Sequence, residues 1–367
     1  MRVAQRSAKA GYDTLVLEEH MSIGKPVQCA GLVSPKVIEM TGTNSVYQWS
    51  KKAHVNPPRS EPLEIWADEP RAAIIDRGRF DREMAEKAIK NGAEVDLGAR
   101  VTDTIKKDKR IVTYRKDGEK KVVSADMVIG ADGPSSIIRR KAGLNPPKEI
   151  LPGIQAIVGV EPDGIQIFLG DEIAPGFFGW EIPHPSGTLI GLATNQGRAF
   201  DYLNKLMKKR FVEDKIIGYQ AGAIPLGNMD ESVRDSLMIV GDAACQVKPL
   251  SGGGLYTGLR GADHCSRVLI DSLEEGDTSR ERLKEYHNLW QNDIGREISK
   301  GAWMRSIFQK FSDKDLDALI DSLRKEKIKK IIADKGDIDY PSTVAKAVLK
   351  SSPKLLKFAG PLIKNIF

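Results

Sequence analysis

One stretch sets the terms for the whole chain: the apolar run Leu237–Val240, then Gly241-Asp242, then a loop with Pro249 and Gly252-Gly253-Gly254. The apolar run predicts a short buried strand, and a helical pattern follows from Leu255 to about Ser272. An acid at the carboxyl end of a strand can take ribose or ribitol hydroxyls. Glycines at a helix start let a ligand reach backbone N–H groups, where the helix dipole favours negative charge. An ordinary strand-turn-helix accounts for the strand and the helix. It needs neither the Gly-Asp nor three glycines after a proline.

The chain has 367 residues, enough to bury a substantial core and to form two domains with an appendage. It is 41% hydrophobic and 29% charged, with a net charge of +6. That balance suits an acidic partner without choosing among nucleic acid, anionic membrane and phosphorylated substrate. Cys29, Cys245 and Cys265 are isolated, and no CxxC occurs. A zinc knuckle or disulfide framework is therefore not expected, no metal site is expected, and a reducing, cytoplasmic compartment is. No apolar run reaches the roughly 18 residues that a membrane-spanning helix needs.

Residues 2–10 read as a helix, with Val3, Ala4, Ala8 and Ala10 able to face a sheet and Gly11 as its cap. Residues 13–18 read as a buried parallel strand ending in Glu18. Helix, glycine, strand and terminal acid form the second half of a dinucleotide-binding βαβ unit. No leading strand or GxGxxG precedes the helix. The sequence thus predicts a natural start about fifteen residues earlier, with an internal Met taken as the first residue.

Residues 23–34 are a glycine-rich loop holding Cys29, followed by a short helix from about Pro35 to Met40. Residues 44–62, polar and with Pro57-Pro58, read as a linker. Leu63–Ala67 and Ala72–Asp76 read as the two strands of a hairpin. A helix over Phe80–Asn91 follows, with Phe80, Met84, Ala85, Ala88 and Ile89 on one face. Short strands come next at 94–97, 101–106 and 110–114. A second buried strand, from Asp126, ends in Gly130-Ala-Asp-Gly133. From Leu151 to about Pro225 strands dominate, interrupted by a helix over 198–211 and carrying the aromatic run 174–183. Such a run packs a core or lines an apolar substrate pocket.

The remaining pattern is helical: 255–272, 280–299, 304–311, 314–324 and 326–334. Residues 342–367 combine apolar positions with Lys346, Lys350, Lys354, Lys357 and Lys364, and Pro353 and Pro361 break them. This end can lie on an anionic membrane surface or dock on its own protein. The expected fold is α/β, α+β overall. A FAD-type Rossmann-like domain (1–55, 77–150 and 235–300) holds an inserted antiparallel substrate domain (56–76 and 151–234), and helices over 301–367 close the chain.

Three sites in order carry a resemblance: Glu18 at a strand end, Gly130-Ala-Asp-Gly133, and Gly241-Asp242 with Pro249 and Gly252–Gly254. The chain resembles the FAD-dependent oxidoreductases of the para-hydroxybenzoate hydroxylase fold. Within them it is similar to the archaeal geranylgeranyl reductases, the digeranylgeranylglycerophospholipid reductases. The points of likeness are Gly24-Lys-Pro-Val-Gln-Cys-Ala-Gly31, Asp76-Arg-x-x-Phe-Asp81, and the Pro-Gly-x-x-Gly-Trp-x-x-Pro run at 175–183. The family's leading strand and GxGxxG are lacking here.

The resemblance implies FAD as cofactor. Glu18 would take the adenosine ribose, and Val101 would meet the adenine region. Cys29, Ala30 and Leu32 would line the flavin side of their loop. Arg77 would contact the cofactor; as a cation at a helix start it suits a phosphate partner. Asp242 would bind the ribitol or pyrophosphate-proximal hydroxyls, and Gly254 and Leu255 would offer N–H groups to the flavin edge. Phe178, Gly179, Trp180 and Pro183 would belong to the pocket for an isoprenoid lipid. The implied reaction is hydride transfer to isolated double bonds, with Cys29 a candidate for proton delivery or for gating the flavin, and ordered water the other candidate for the proton. Implied partners are an electron donor of NAD(P)H or ferredoxin-like type and, peripherally, the inner face of the membrane; nucleic acid is not among them. A flavin monooxygenase or halogenase of the same fold, using O₂ on an apolar substrate, is the alternative. A third reading is a non-catalytic protein that keeps the fold without the flavin.

Overall fold

In the computed structural model the predicted strand forms at Leu237–Ile239 and pairs in parallel with Val128–Gly130. All three of its side chains are fully buried. The structure describes residues 1–210 and 216–358, without the side chains of 354, 356 and 357. The helices Leu255–Glu275 and Arg280–Trp290 supply Val268, Leu283, Tyr286 and Trp290 to the core around this strand. Burying side chains of this size contributes about 1.5–3 kcal/mol each, so this is the anchor of the cofactor half.

The second parallel pair joins Leu15–Glu18 to Glu94–Leu97, register Glu18 to Leu97. The helices Arg2–Lys9 and Arg77–Lys90 meet beside it through small residues, Ala4, Ala8, Ala88 and Ala93, which allow close approach. The 77–90 helix buries Phe80, Met84, Ala85 and Ala88 as its periodicity predicts. Ile89 departs from the prediction: it is 53% exposed, because the inward face is already filled by the alanines on either side.

Two predictions between residues 44 and 76 are overturned. The supposed linker contains two strands, Val46–Ser50 and Lys52–Asn56. The supposed hairpin does not exist. Leu63–Trp66 pairs with Lys52–Asn56, while Ala72–Ile75 sits between Leu32–Val33 and Val46–Ser50 in a separate small sheet. The polar residues that suggested a linker lie on half-buried strands, whose outward side chains need no apolar character.

The large sheet has seven strands: Ile216–Leu226, Glu149–Val158, Gly187–Ala193, Gly179–His184, Gln166–Phe168, Lys52–Asn56 and Leu63–Trp66 in spatial order. Neighbours are antiparallel except Gln166–Phe168 and Lys52–Asn56. One face packs on the helix Ala199–Arg210, where Ala156, Val158, Ile190 and Leu192 meet Leu203 and Leu206. The opposite face carries Leu151 and Ala193, which meet Val247 of the glycine-rich loop. The sheet is thus a wall with its own backing helix, turned toward Asp242. The predicted end of that helix at Phe211 lies outside the described residues.

The predicted helix over 280–299 is broken by a π-helical turn, Gln291–Gly295, and the next helix runs Arg296–Phe308. The helices Asp313–Leu323, Glu326–Lys335 and Pro341–Ser351 follow, and a 3-10 helix, Pro353–Phe358, ends the described chain. Val348 and Leu355 pack with Ile328, so the described apolar face at this end docks on its own protein. Leu362, Ile363, Lys364, Ile366 and Phe367 lie outside the described residues. Among the described residues no helix is long and apolar enough to cross a membrane.

Candidate functional site

The turn after the buried strand is held by a chain of polar groups. The Tyr286 hydroxyl donates to the Ile239 carbonyl at 2.7 Å. Gln246 Nε2 donates to that hydroxyl at 3.0 Å, and the Gly241 N–H donates to Gln246 Oε1 at 2.8 Å. Tyr286 and Gln246 are both fully buried. Gly241 and Cys245, at the two ends of the turn, adopt left-handed backbone, with φ 68° and 55°. For Cys245 this is strain, of the kind that concentrates at functional sites.

The relay leaves Asp242 facing outward from the turn, with no hydrogen-bond donor to its carboxylate among the described residues. Burial pushes its carboxyl up to about 6, against the pull of the Arg77 guanidinium. The Gly252–Gly254 loop closes over it. A Cβ at Gly254 would lie 2.9 Å from the Asp242 carboxylate oxygen. The N–H groups of Gly254 and Leu255 find no acceptor among the described residues, as expected for the first turn of a helix.

Arg77 opens its helix directly after Asp76, whose carboxylate caps it by accepting the Arg79 N–H at 2.9 Å. The guanidinium bonds both oxygens of Asp81, at 3.0 and 3.1 Å. Burial works against its charge, but the neighbouring Cys29 and the Asp81 carboxylate outweigh that and raise its pKa. Asp81 and Cys29 thus already partner the cation that the sequence offers to a phosphate. Its Nε, however, is buried without any partner.

The Cys29 loop lies against this helix start. A Cβ at Gly24 would come 2.7 Å from the Gly78 carbonyl oxygen, and one at Gly31 would come 2.5 Å from that of Ile75. Only glycine allows that approach, and both residues are in left-handed backbone. Ala30 and Leu32 turn into an apolar cluster with Ile74, Ile182 and Trp180.

Glu18 stands at the end of its strand as predicted, but His20 engages its carboxylate through both backbone N–H (2.9 Å) and Nδ1 (2.6 Å). The Ala99 N–H donates to the Glu18 carbonyl at 2.8 Å. That bond brings the start of the Arg100–Lys106 strand, and Val101 with it, to the Glu18 end.

On the large sheet, strand alternation divides the aromatic run. Trp180 belongs both to the cluster of Ala30 and Leu32 and to the cluster of Val247 and Phe177. Gly179 faces the other way, toward Leu206 of the backing helix, and Pro183 shares its parity. Phe178 stacks on Phe177 at 4.3 Å and meets the Trp180 ring edge at 6.0 Å. Phe177, which sequence reasoning did not single out, reaches the glycine loop: a Cβ at Gly252 would lie 3.5 Å from its ring.

The residues fit FAD on these observations. A buried guanidinium nitrogen lacks an acceptor, an unengaged carboxylate follows a strand, and free N–H groups start a helix beneath glycines that leave no room for a Cβ. Gly254→Ala is expected to weaken FAD binding by about tenfold or more, because the added methyl displaces Asp242. Quenching of flavin fluorescence measures this; unchanged affinity would show that the carboxylate simply moves aside.

Together the two acidic strand ends, the glycine loops and the inserted sheet define a flavin-dependent oxidoreductase that uses FAD. Residues 27–163 match the family described as FAD binding domain. The chain is 32% identical to digeranylgeranylglycerophospholipid reductase 2 of Methanopyrus kandleri, covering 98% of this chain and 96% of that protein. It is also 32% identical to digeranylgeranylglycerophospholipid reductase 2 of Methanothermobacter thermautotrophicus, over 92% and 93% of the two chains. The fold matches the crystal structure of a geranylgeranyl bacteriochlorophyll reductase-like protein from Thermoplasma acidophilum, with a TM-score of 0.87, 24% identity, and 99% and 96% of the chains covered. The chain belongs to the digeranylgeranylglycerophospholipid reductase family.

Proposed function

We propose that this chain saturates the isoprenoid double bonds of archaeal membrane-lipid precursors. The observation that carries this reading is Trp180, which joins the apolar wall of the inserted sheet to both the Cys29 loop and the Asp242 loop. An apolar chain lying on that wall would run beside the cofactor site. Reduced FAD, when bound, supplies the hydride for one alkene carbon. The other carbon needs a proton.

Asp242, Gly254, Leu255, Arg77 and Glu18 would hold the cofactor through hydroxyl, carbonyl and phosphate contacts. Ala30, Leu32, Phe177 and Trp180 would keep water from the reacting bond. Phe178 would support the Trp180 ring from its edge, and Gly179 and Pro183 would shape the strand from behind. Cys29, which lies beside the Arg77 guanidinium, would deliver the proton, with ordered water as the other candidate. Cys29→Ala is expected to keep FAD bound and to slow single-turnover reduction about 100-fold. An unchanged rate removes this role.

The reductant is a nicotinamide or a ferredoxin-like protein. The +6 charge supports peripheral contact with an anionic lipid surface, from which such a substrate would be drawn. Anaerobic incubation of the reduced holoenzyme with geranylgeranyl lipid, followed by mass spectrometry, tests the function. A gain of about two mass units per double bond is the expected result, by the stoichiometry of one hydride and one proton. A product carrying added oxygen or halogen in air would replace this reading with the oxygenase one.

A further inference from the structure

The wall that faces the cofactor loops is not wholly apolar. Gln155, 5% exposed, and Gln220 are partners in register across two adjacent strands. Gln155 shares its face with Trp180: a Cβ at Gly191 would lie 2.6 Å from Gln155 Cβ and 2.7 Å from the indole. The Trp180 Nε1–H donates to Gln155 Oε1 at 3.2 Å, and Gln155 Nε2 donates to Gln220 Oε1 at 2.6 Å.

The direction of this chain is dictated by chemistry. An indole nitrogen can only donate, so the Gln155 atom facing it must be the oxygen. Its nitrogen must then face Gln220, whose own oxygen accepts. Gln220 is left with a free NH₂, which finds no acceptor among the described residues. Two residues further along the same strand face, Gly222 passes beneath the Cys29 loop; a Cβ there would lie 3.3 Å from the Gln28 carbonyl oxygen. A hydrogen-bond donor of fixed polarity is therefore presented beside the loop that carries Cys29. A purely hydrocarbon substrate would leave that donor unanswered at a cost comparable to a lost hydrogen bond.

We propose that the Gln220 carboxamide N–H recognises an oxygen at the polar end of the isoprenoid lipid, ether or phosphate, and so selects for chains that carry a head group. This rests on the reductase reading for the identity of the chain. Gln155 is a positioning residue, since it acts by orienting Gln220, and the Trp180 N–H fixes its direction.

The test measures equilibrium binding and turnover separately, for the wild-type holoenzyme, Gln220→Leu and Gln220→Glu. Three probes are compared: geranylgeranyl diphosphate, a geranylgeranyl glycerol ether, and a C20 isoprenoid tetraene without oxygen. Loss of a bond to a neutral ether oxygen is expected to raise KM and Kd about 2- to 12-fold, and to a phosphate about 10- to 150-fold. The oxygen-free tetraene should bind all three proteins alike, kcat should stay within about twofold, and FAD affinity should not change. The probe with the larger loss identifies the oxygen. Gln220→Glu, which keeps size and polarity but removes the donor, should reproduce the loss and exceed it for the diphosphate. Gln155→Leu, which removes the amide that orients Gln220, should give a weaker version of the same pattern.

Equal affinities across the variants for every probe would overturn the inference. So would weakened FAD binding in Gln220→Leu, which would assign the donor to the cofactor. If the lipids bind in a Gln220-dependent way but are not reduced, the reductase reading falls and this one stands. If they are reduced without any dependence on Gln220, the reverse holds.

Discussion

Asp339→Ala is expected to cost about 3–5 kcal/mol of folding free energy, because it strands a buried ammonium. Lys248 and Asp339 are 10% and 1% exposed at their side chains and bond at 2.7 Å. The Lys248 Nζ also donates to the Ile338 carbonyl at 2.9 Å. The Lys248 backbone N–H donates to the Gly253 carbonyl at 3.0 Å, so the same residue pins the loop above Asp242. Asp339 keeps one buried oxygen without a partner, which means the pair is under-satisfied as it stands. Replacing both ends with apolar residues, Lys248→Met with Asp339→Leu, should therefore recover most of the loss. Urea unfolding of the wild type, the two single variants and the double variant measures this. Losses that simply add would show that the two residues do not depend on each other.

The second large effect concerns pH. An unperturbed aspartate titrates near ~3.9, whereas burial raises Asp242 in the folded chain to about 6. Between those values the folded protein holds the extra proton. Stability therefore falls as pH rises through this window, and the cost is complete above pH 6. Asp242→Asn removes the charge without changing the shape. The variant apoprotein is expected to be about 1–3 kcal/mol more stable than wild type near neutral pH, with the gain vanishing toward pH 4. It should bind FAD more weakly, since a neutral amide is a poorer acceptor for hydroxyls than a carboxylate. Chemical denaturation of both apoproteins across pH 4–8 decides the matter; parallel curves would rule out Asp242 as the source. A residue that destabilises the chain where it works is a sign that the site is held for its ligand.

Much of this site was legible because its chemistry is local. Glu18, Asp242 and the Gly252–Gly254 loop each sit where a short apolar run meets a turn, and the run, the acid and the glycines are adjacent in sequence. The helix after Asp76 was readable too, although it opens at Arg77, three residues before the Phe80 start its apolar face suggested. What sequence hid was pairing at a distance. Nothing in residues 63–76 tells that Leu63–Trp66 turns back to Lys52–Asn56 while Ala72–Ile75 leaves for Leu32–Val33. Gln155 and Gln220 are hidden for the same reason: they matter only as cross-strand neighbours, 65 residues apart. Phe177 was passed over because it lies in the bend before the Gly179–His184 strand, where strand alternation does not say which way a ring turns.

The Lys248–Asp339 pair has a consequence for the order in which the protein is made. The two residues are separated by 91 positions. At a synthesis rate of about 5–20 residues per second, Lys248 leaves the ribosome roughly 5–20 s before its partner does. Through that interval its ammonium must stay hydrated, and the loop above Asp242 cannot close down in its final form. The Rossmann-type core can set while it waits, but the cofactor site cannot be completed until Asp339 has emerged.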